Sequence, residues 1–208
     1  MKILSSTGGI AQTNCFVIAD ESARQAVLFD APDHTVAPLL DEVARQGWDL
    51  IGLWLTHGHF DHLADHAIVK ERFPQAKILI HQLDEHKLKN PVSKLFRLPF
   101  EIPPGHADQL LNDGDHLTLG TMPVEVIHTP GHSPGHVCYN FPQQKILVGG
   151  DLIIAGAIGR TDFPDCDENA MEKSLQRILQ LPDDTTLLPG HGEISTLEHE
   201  RATNPYLR

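Results

Sequence analysis

The stretch Thr56-His57-Gly58-His59-Phe60-Asp61-His62, delivered by the apolar run LIGLWL at 50–55, decides how this chain is read. A continuous apolar run of that length reads as a buried strand. At its end stand four side chains of ligand type within six residues, His57, His59, Asp61 and His62, with Gly58 supplying backbone freedom. One cation takes all four only with strain, so two cations sharing them is the easier geometry. A single His at a strand end is more often a hydrogen-bonded structural residue than a ligand. Two His and an adjacent Asp-His pair in one turn have no structural rationale of that kind.

Working outward, His132, Asp151 and His191 share the same context. His132 lies in TPGHSPGH (129–136) after the run PVEVIH (123–128), Asp151 follows KILVGG (145–150), and His191 lies in LLPGHG (187–192) after TTLL. In each case a β run feeds a Gly-containing turn with a His or Asp at its end. Strand ends converge along one edge of a sheet, which is the physical reason for grouping residues so distant in sequence. Two divalent ions about 3.5–4 Å apart share a hydroxide at neutral pH, because bound water has its pKa lowered to roughly 7. One ion then polarises a carbonyl oxygen while the hydroxide attacks. A carboxylate such as Asp151 suits a bridging position, and Asp61 suits the second ion and a hydrogen bond from the nucleophile. The imidazoles should ligate as neutral rings held by further acceptors.

Of the 14 His in the chain, His66, one helical turn beyond His62, is read either as a support for the ligand candidates or as a surface residue, and His128 and His136 flank His132 and are placed to orient it. His34, His81, His86, His106, His116 and His199 are expected to be solvated, and Tyr139 to be core.

At 208 residues and 40% hydrophobic, the chain has enough apolar material for one sizeable core, so residues 1–208 are expected to form a single domain. A formal net charge of -12 argues against a nucleic-acid partner. No stretch approaches the roughly 18 apolar residues of a membrane span, and the N-terminus makes a poor signal peptide. Cys15, Cys138 and Cys166 are widely spaced and form no CxxC, which favours free thiols and a cytoplasmic location.

β-like runs at 2–7, 14–19 and 25–31 precede Val36, Leu39, Leu40 and Val43, which mark an amphipathic helix ending at Gly47. Leu63 to Phe73 is expected to be helical up to Pro74, KILIH (77–81) to be a strand, and 89–112 a loop-rich insertion. Strands resume at 123–128, 136–141 and 145–150, and Met171, Leu175, Ile178 and Leu179 form a second helical stripe. Strand groups punctuated by helices in both halves predict sheets packed on each other with helices outside, an α/β architecture.

These residues resemble the metallo-β-lactamase superfamily, whose motif His-x-His-x-Asp-His is followed by a His, a bridging Asp and a final His. The resemblance implies a four-layer αββα sandwich. It implies one metal on His57, His59 and His132, the other on Asp61, His62 and His191, and Asp151 between them. Within the superfamily the chain is similar to short bacterial glyoxalase II-like proteins (hydroxyacylglutathione hydrolases), through THGHFDH, TPGHSPGHVCY, GGDLI, GRTDFP (159–164) and ERATNPYL. That family hydrolyses S-lactoylglutathione and related thioesters with two divalent ions, zinc by family habit and also iron or manganese. Arg160 sits where longer members carry a basic glutathione-binding residue, and is the candidate clamp for a substrate carboxylate.

Two departures stand out. Only 17 residues follow His191, where longer members have a helical region with further basic contacts, and DCDEN (165–169) replaces the usual Gly-Gly-Asp. Cys166 is thereby placed near the pocket. A persulfide dioxygenase-like iron enzyme shares GRTDF but not PGHG at 189–192. A β-lactamase with two metals commonly has a Cys near the second ion, and Cys138 is not in that context. A non-catalytic metal-binding module would be expected to have lost some of the ligands.

Overall fold

The computed structural model describes residues 1–91 and 98–207. The first sheet holds β1 (Lys2–Gly8), β2 (Thr13–Asp20), β3 (Gln25–Phe29), β4 (Asp49–Trp54), β5 (Lys77–His81) and β6 (Gln109–Leu111), side by side in that order. Its first three strands pair antiparallel, and β3 to β6 run parallel. Chain order then passes to β7 (His116–Leu119), β8 (Met122–His128), β9 (Val137–Phe141) and β10 (Ile146–Gly150). A small hairpin, β11 (Ile153–Ile154) with β12 (Ala157–Ile158), stands apart before β13 (Thr186–Pro189) and β14 (Ser195–Thr196). The second sheet has the order β14-β13-β10-β9-β8-β7.

Alternation along the strands explains the layering, because successive side chains point to opposite faces. In β2, Phe16 and Ile18 face the other sheet, while Cys15, Val17 and Ala19 face the helices α1 (Ala37–Gln46) and α3 (His66–Arg72), which flank α2 (Phe60–Leu63) in sequence. In β9, Val137, Tyr139 and Phe141 enter the same inter-sheet core. Cys138, by contrast, packs with Met171, Leu175 and Ile178 of α5 (Glu168–Ile178) and Leu197 of α6 (Leu197–Thr203); the remaining helix, α4, is Glu85–Lys89. Helix, sheet, sheet and helix follow one another, the expected αββα sandwich.

Local signals set the helix ends. Gly47 closes α1 at φ 62, a left-handed position that glycine adopts without cost, and Asp167 caps α5 by accepting from Ala170 N at 3.0 Å. Between 63 and 73 the structure differs from the single helix expected. α2 starts at Phe60, and the chain breaks before α3 because Asp65 is tied to the loop after β3 through Asp65 N to Ala31 O (2.8 Å) and Thr35 N to its carboxylate (3.2 Å). Within the expected loop 89–112, Gln109–Leu111 adds β6 to the edge of β5, and residues 92–97 lie outside the described part. Of the other His, one differs from expectation and one loses its surface reading. His81 is buried and stacked on His128 (centroids 4.1 Å, interplanar 7°), and His66 is buried against Leu63 O at 2.8 Å. Among the described residues no helix is long and apolar enough to cross a membrane.

The inter-sheet core is aromatic where it underlies the strand ends. Phe29 meets Trp54 (5.5 Å), Tyr139 (5.2 Å) and Phe141 (6.1 Å) in edge-on contacts, and the Tyr139 hydroxyl donates to Leu55 O at 2.8 Å. Phe29 immediately precedes Asp30, and Trp54 and Leu55 immediately precede Thr56, so this cluster is the floor on which the loops rest. Phe29→Ala is expected to cost about 3–5 kcal/mol in denaturant unfolding. Tyr139→Phe, which strands one buried carbonyl, should cost about 1–3 kcal/mol. A Phe29→Ala loss below that of Tyr139→Phe would show that the floor lies elsewhere.

Candidate metal centre

Each ligand candidate stands at a strand end or in the turn beyond it. The turn after β4 carries His57 and His59, and α2 presents Asp61 and His62 from its single turn. The turn after β8 carries His132, Asp151 directly follows β10, and His191 lies just beyond β13, where it bridges to Thr13 at the start of β2. Both sheets therefore deliver side chains to one shared edge.

The structure brings all of them together in two groups. The ring nitrogens of His57 (Nε2), His59 (Nδ1) and His132 (Nε2) converge, with 3.0 Å from His57 to His59 and 2.8 Å from His59 to His132. Asp61, His62 and His191 form the second group, with Asp61 Oδ2 3.5 Å from His62 Nε2 and 3.4 Å from His191 Nε2. Asp151 stands between them, Oδ2 at 3.3 Å from both His132 Nε2 and His191 Nε2, and Oδ1 at 3.4 Å from His62 Nε2.

These contacts test whether ions fit. Charge-assisted hydrogen bonds run at about 2.7–2.9 Å, whereas two ligands held at about 2.0–2.1 Å by one tetrahedral ion stand roughly 3.3 Å apart. The contacts of Asp151 have the second spacing. In addition, the buried atoms His62 Nε2 and Asp151 Oδ1 have no hydrogen-bond partner among the described residues, a rare condition for buried polar atoms. Both observations fit a set of donors able to take up cations.

Outer partners fix which nitrogen is free. Thr56 donates through Oγ1 to Asp30 Oδ2 (2.8 Å), leaving that hydroxyl oxygen to accept from His57 Nδ1 at 3.0 Å. His62 Nδ1 donates to the same Asp30 oxygen at 2.8 Å, and His132 Nδ1 to the carbonyl oxygen of Arg160 at 2.8 Å. Each of these rings thus keeps its Nε2 lone pair for the centre. Thr13 Oγ1 donates to Asp61 Oδ2 at 2.7 Å. Asp84, wholly buried, accepts from Gly58 N (2.8 Å), Ser133 Oγ (2.5 Å) and Gly135 N (2.9 Å), and so clamps the turn after β4 to the turn after β8. At Gly190 a Cβ would come within 2.1 Å of Asp151 Oδ1, so glycine is required for the turn to pass this carboxylate.

Burial, and then the neighbouring imidazoles, hold His57 well below its ordinary pKa and His59 down to about 3, so the all-imidazole group is neutral and able to ligate. The other half behaves oppositely. Burial opposes protonation of His62 and His191, but Asp61 and Asp151 override it and raise His191 to about 10. Burial likewise opposes ionisation of Asp61, yet His62 and His191 draw it down to about 2. This half of the centre demands positive charge, which divalent ions supply in competition with protons.

Of the supporting residues, His136 is present but acts elsewhere than expected. It accepts from Asp151 N at 3.0 Å and lies against Thr129 Oγ1 at 2.8 Å, so it positions the Asp151 backbone. His128 stacks on His81 and reaches Pro134 O (2.8 Å) instead of His132. Arg160 lines the cleft over the centre, about 380 Å³ in volume, together with Phe60, Ile154, Ile158 and Phe163. Its guanidinium is bound bidentately to Asp162 (2.6 and 2.7 Å). Cys166 lies with Sγ 3.1 Å from His132 O, and burial pushes its thiol up, which disfavours a nucleophilic thiolate. Cys138 is buried behind the second sheet. Asp30, Thr13, Thr56 and Asp84 went unread in sequence. Asp30 closes the run QAVLFD at a strand end, the placement that singled out Asp151, whereas Asp84 has no comparable signal.

The sequence model of the metallo-beta-lactamase superfamily matches residues 8–191, and the chain belongs to that superfamily, a family that binds divalent metals. It is 32% identical to the hydroxyacylglutathione hydrolase GloC of Haemophilus influenzae over 94% of this chain and 93% of that protein. The crystal structure of the BLEG-1 B3 metallo-beta-lactamase superposes with a TM-score of 0.91 at 33% identity, covering 99% of both chains. That of TTHA1623 in a di-iron-bound form does so with 0.86 at 34% identity, covering 98% of this chain and 100% of the other.

Asp151→Asn replaces the central charge by an amide that cannot offset two cations. The variant is expected to retain less than half the metal of the parent protein by elemental analysis, with its far-ultraviolet dichroism unchanged. Two ions per chain in the variant would remove Asp151 from the bridging position.

Proposed function

We propose that this chain is a binuclear metal-dependent thioester hydrolase acting on S-lactoylglutathione-type substrates in the cytoplasm. The observation that carries the reading is Asp151, within 3.3–3.4 Å of ring nitrogens from both groups. His57, His59 and His132 would hold one ion and Asp61, His62 and His191 the other, zinc by preference, with iron or manganese also suited to mixed nitrogen and oxygen donors. When bound, the ions supply a nucleophilic hydroxide at neutral pH and a Lewis acid for the carbonyl oxygen.

The chain's own residues do the rest. Asp61, kept ionised and steadied by Thr13, accepts a hydrogen bond from the attacking water and orients it. Phe60, Ile154, Ile158 and Phe163 give the acyl group apolar walls that exclude bulk water. Among the described residues lining the cleft, the charged side chains are the candidate ligands and Arg160, which leaves no dedicated acid for a leaving group. A thiolate leaves without one, and that favours a thioester. Arg160 is the contact for a carboxylate on the thiol arm.

A second reading, β-lactam hydrolysis, draws support from the likeness to the BLEG-1 structure. Metal analysis followed by turnover of S-lactoylglutathione, a non-glutathione thioester and a β-lactam separates the two. The expected result is two ions per chain and thioester turnover that chelation abolishes and metal restores. Absence of thioester turnover by the fully loaded protein would overturn the proposal. β-Lactam turnover would then promote the second reading, and oxygen consumption with glutathione persulfide would point to a one-iron dioxygenase. For Arg160→Ala, KM for glutathione thioesters should rise several-fold with a smaller change in kcat. A fall in kcat alone would remove Arg160 from substrate binding.

A further inference from the structure

The loop 159–163 touches the centre through its backbone and the cleft through its side chains. The carbonyl of Arg160 is held by His132 Nδ1 at 2.8 Å, so the backbone here is anchored to a candidate ligand. The Arg160 side chain lies over Phe163, 4.1 Å from the ring centroid, and its Nε and Nη2 both donate to Asp162. Stacking and the bidentate pair together place the guanidinium at the mouth of the cleft. Beyond it the surface continues into a groove of about 720 Å³, which shares Ile158, Gly159 and Arg160 with the cleft and adds the carboxylates Glu168 and Glu172.

From this arrangement we infer that Asp162 is a specificity-determining residue, competing with the thiol-arm carboxylate for Arg160 and so limiting how tightly the site holds it. The inference deepens the thioester reading and rests on it for the identity of the substrate. A carboxylate arriving at Arg160 meets a guanidinium whose charge is already balanced and two of whose donors are taken. It must displace Asp162 or sit beside it, like charge against like charge. The pair is exposed, with side chains 56% and 67% accessible, so displacement needs a rotamer change of Asp162 and no backbone movement. An exposed pair of this kind is weakly held, which makes it a graded filter, with Glu168 and Glu172 adding to the same effect.

The test is binding of S-methylglutathione, a thioether that cannot be hydrolysed, by calorimetry on the metal-loaded protein. Wild type, Asp162→Asn, Arg160→Ala and the double variant are compared. Asp162→Asn removes the charge and keeps an acceptor, and should tighten Kd about fivefold, equivalent to about 1 kcal/mol. The gain should shrink at high salt and vanish in the double variant. Asp162→Ala should act in the same direction. An unchanged or weakened Kd overturns the inference, as does a gain that persists without Arg160. Turnover separates the two claims. Tightened binding in a protein that hydrolyses no thioester leaves the filter standing and removes the thioester reading. Thioester turnover with no tightening does the reverse.

Discussion

Two buried carboxylates, Asp61 and Asp151, face three ring nitrogens across less than 3.6 Å, and the rest of the molecule is arranged so that this charge can be held. Ionised carboxylates taken out of water cost several kcal/mol unless opposite charge or hydrogen bonds meet them. Here protein donors are few: Thr13 reaches Asp61, and Asp151 Oδ1 has no hydrogen-bond partner among the described residues. A centre built this way needs positive charge beside it, from protonated His62 and His191 or from cations that take the place of those protons. That explains why the imidazoles around it have their other nitrogens secured by Asp30, Thr56 and a carbonyl, and are not left to rotate.

Holding such a site requires rigid supports from independent elements. The αββα sandwich supplies them, because two sheets packed face to face present strand ends from both along one edge. The edge would be loose if its loops were joined only by sequence. Asp84 ties the His57–His59 turn to the His132 turn, His136 holds the backbone of Asp151, and the Thr13–His191 bridge joins the two sheets. Beneath them Phe29, Trp54 and Tyr139 fill the space where a cavity would let the loops shift.

The strand-end rule made much of this legible in the sequence. It works because a β run, a glycine turn and a ligand-type side chain are all local signals, and HGHFDH concentrates them. It failed where the determinant was not local. Nothing within ten residues of Asp84 announces that its carboxylate will meet Gly58, Ser133 and Gly135. β6 is three residues long and gains its identity from pairing with β5, not from periodicity. His81 read as solvated because a lone His after KILI carries no sign of the imidazole that covers it from another sheet. The break between α2 and α3 likewise depends on Asp65 reaching Ala31 and Thr35, thirty or more residues earlier, and no helical pattern encodes that reach.

The position of Arg160 shows how chemistry and selectivity are separable in such a centre. Its carbonyl belongs to the cage, since it fixes the tautomer of His132, and any residue with a backbone would serve. Its side chain belongs to the cleft, where it is set by Asp162 and Phe163 and not by the ligands. Side chains in this loop are therefore free to vary without disturbing the candidate ligands, provided the backbone path is kept. Cys166 fits the same division, because its Sγ supports the His132 carbonyl and takes no part in the centre. A scaffold whose loops grip the cage through backbone atoms can change substrates by changing side chains, and the constraint that fixes the two carboxylates leaves that freedom intact.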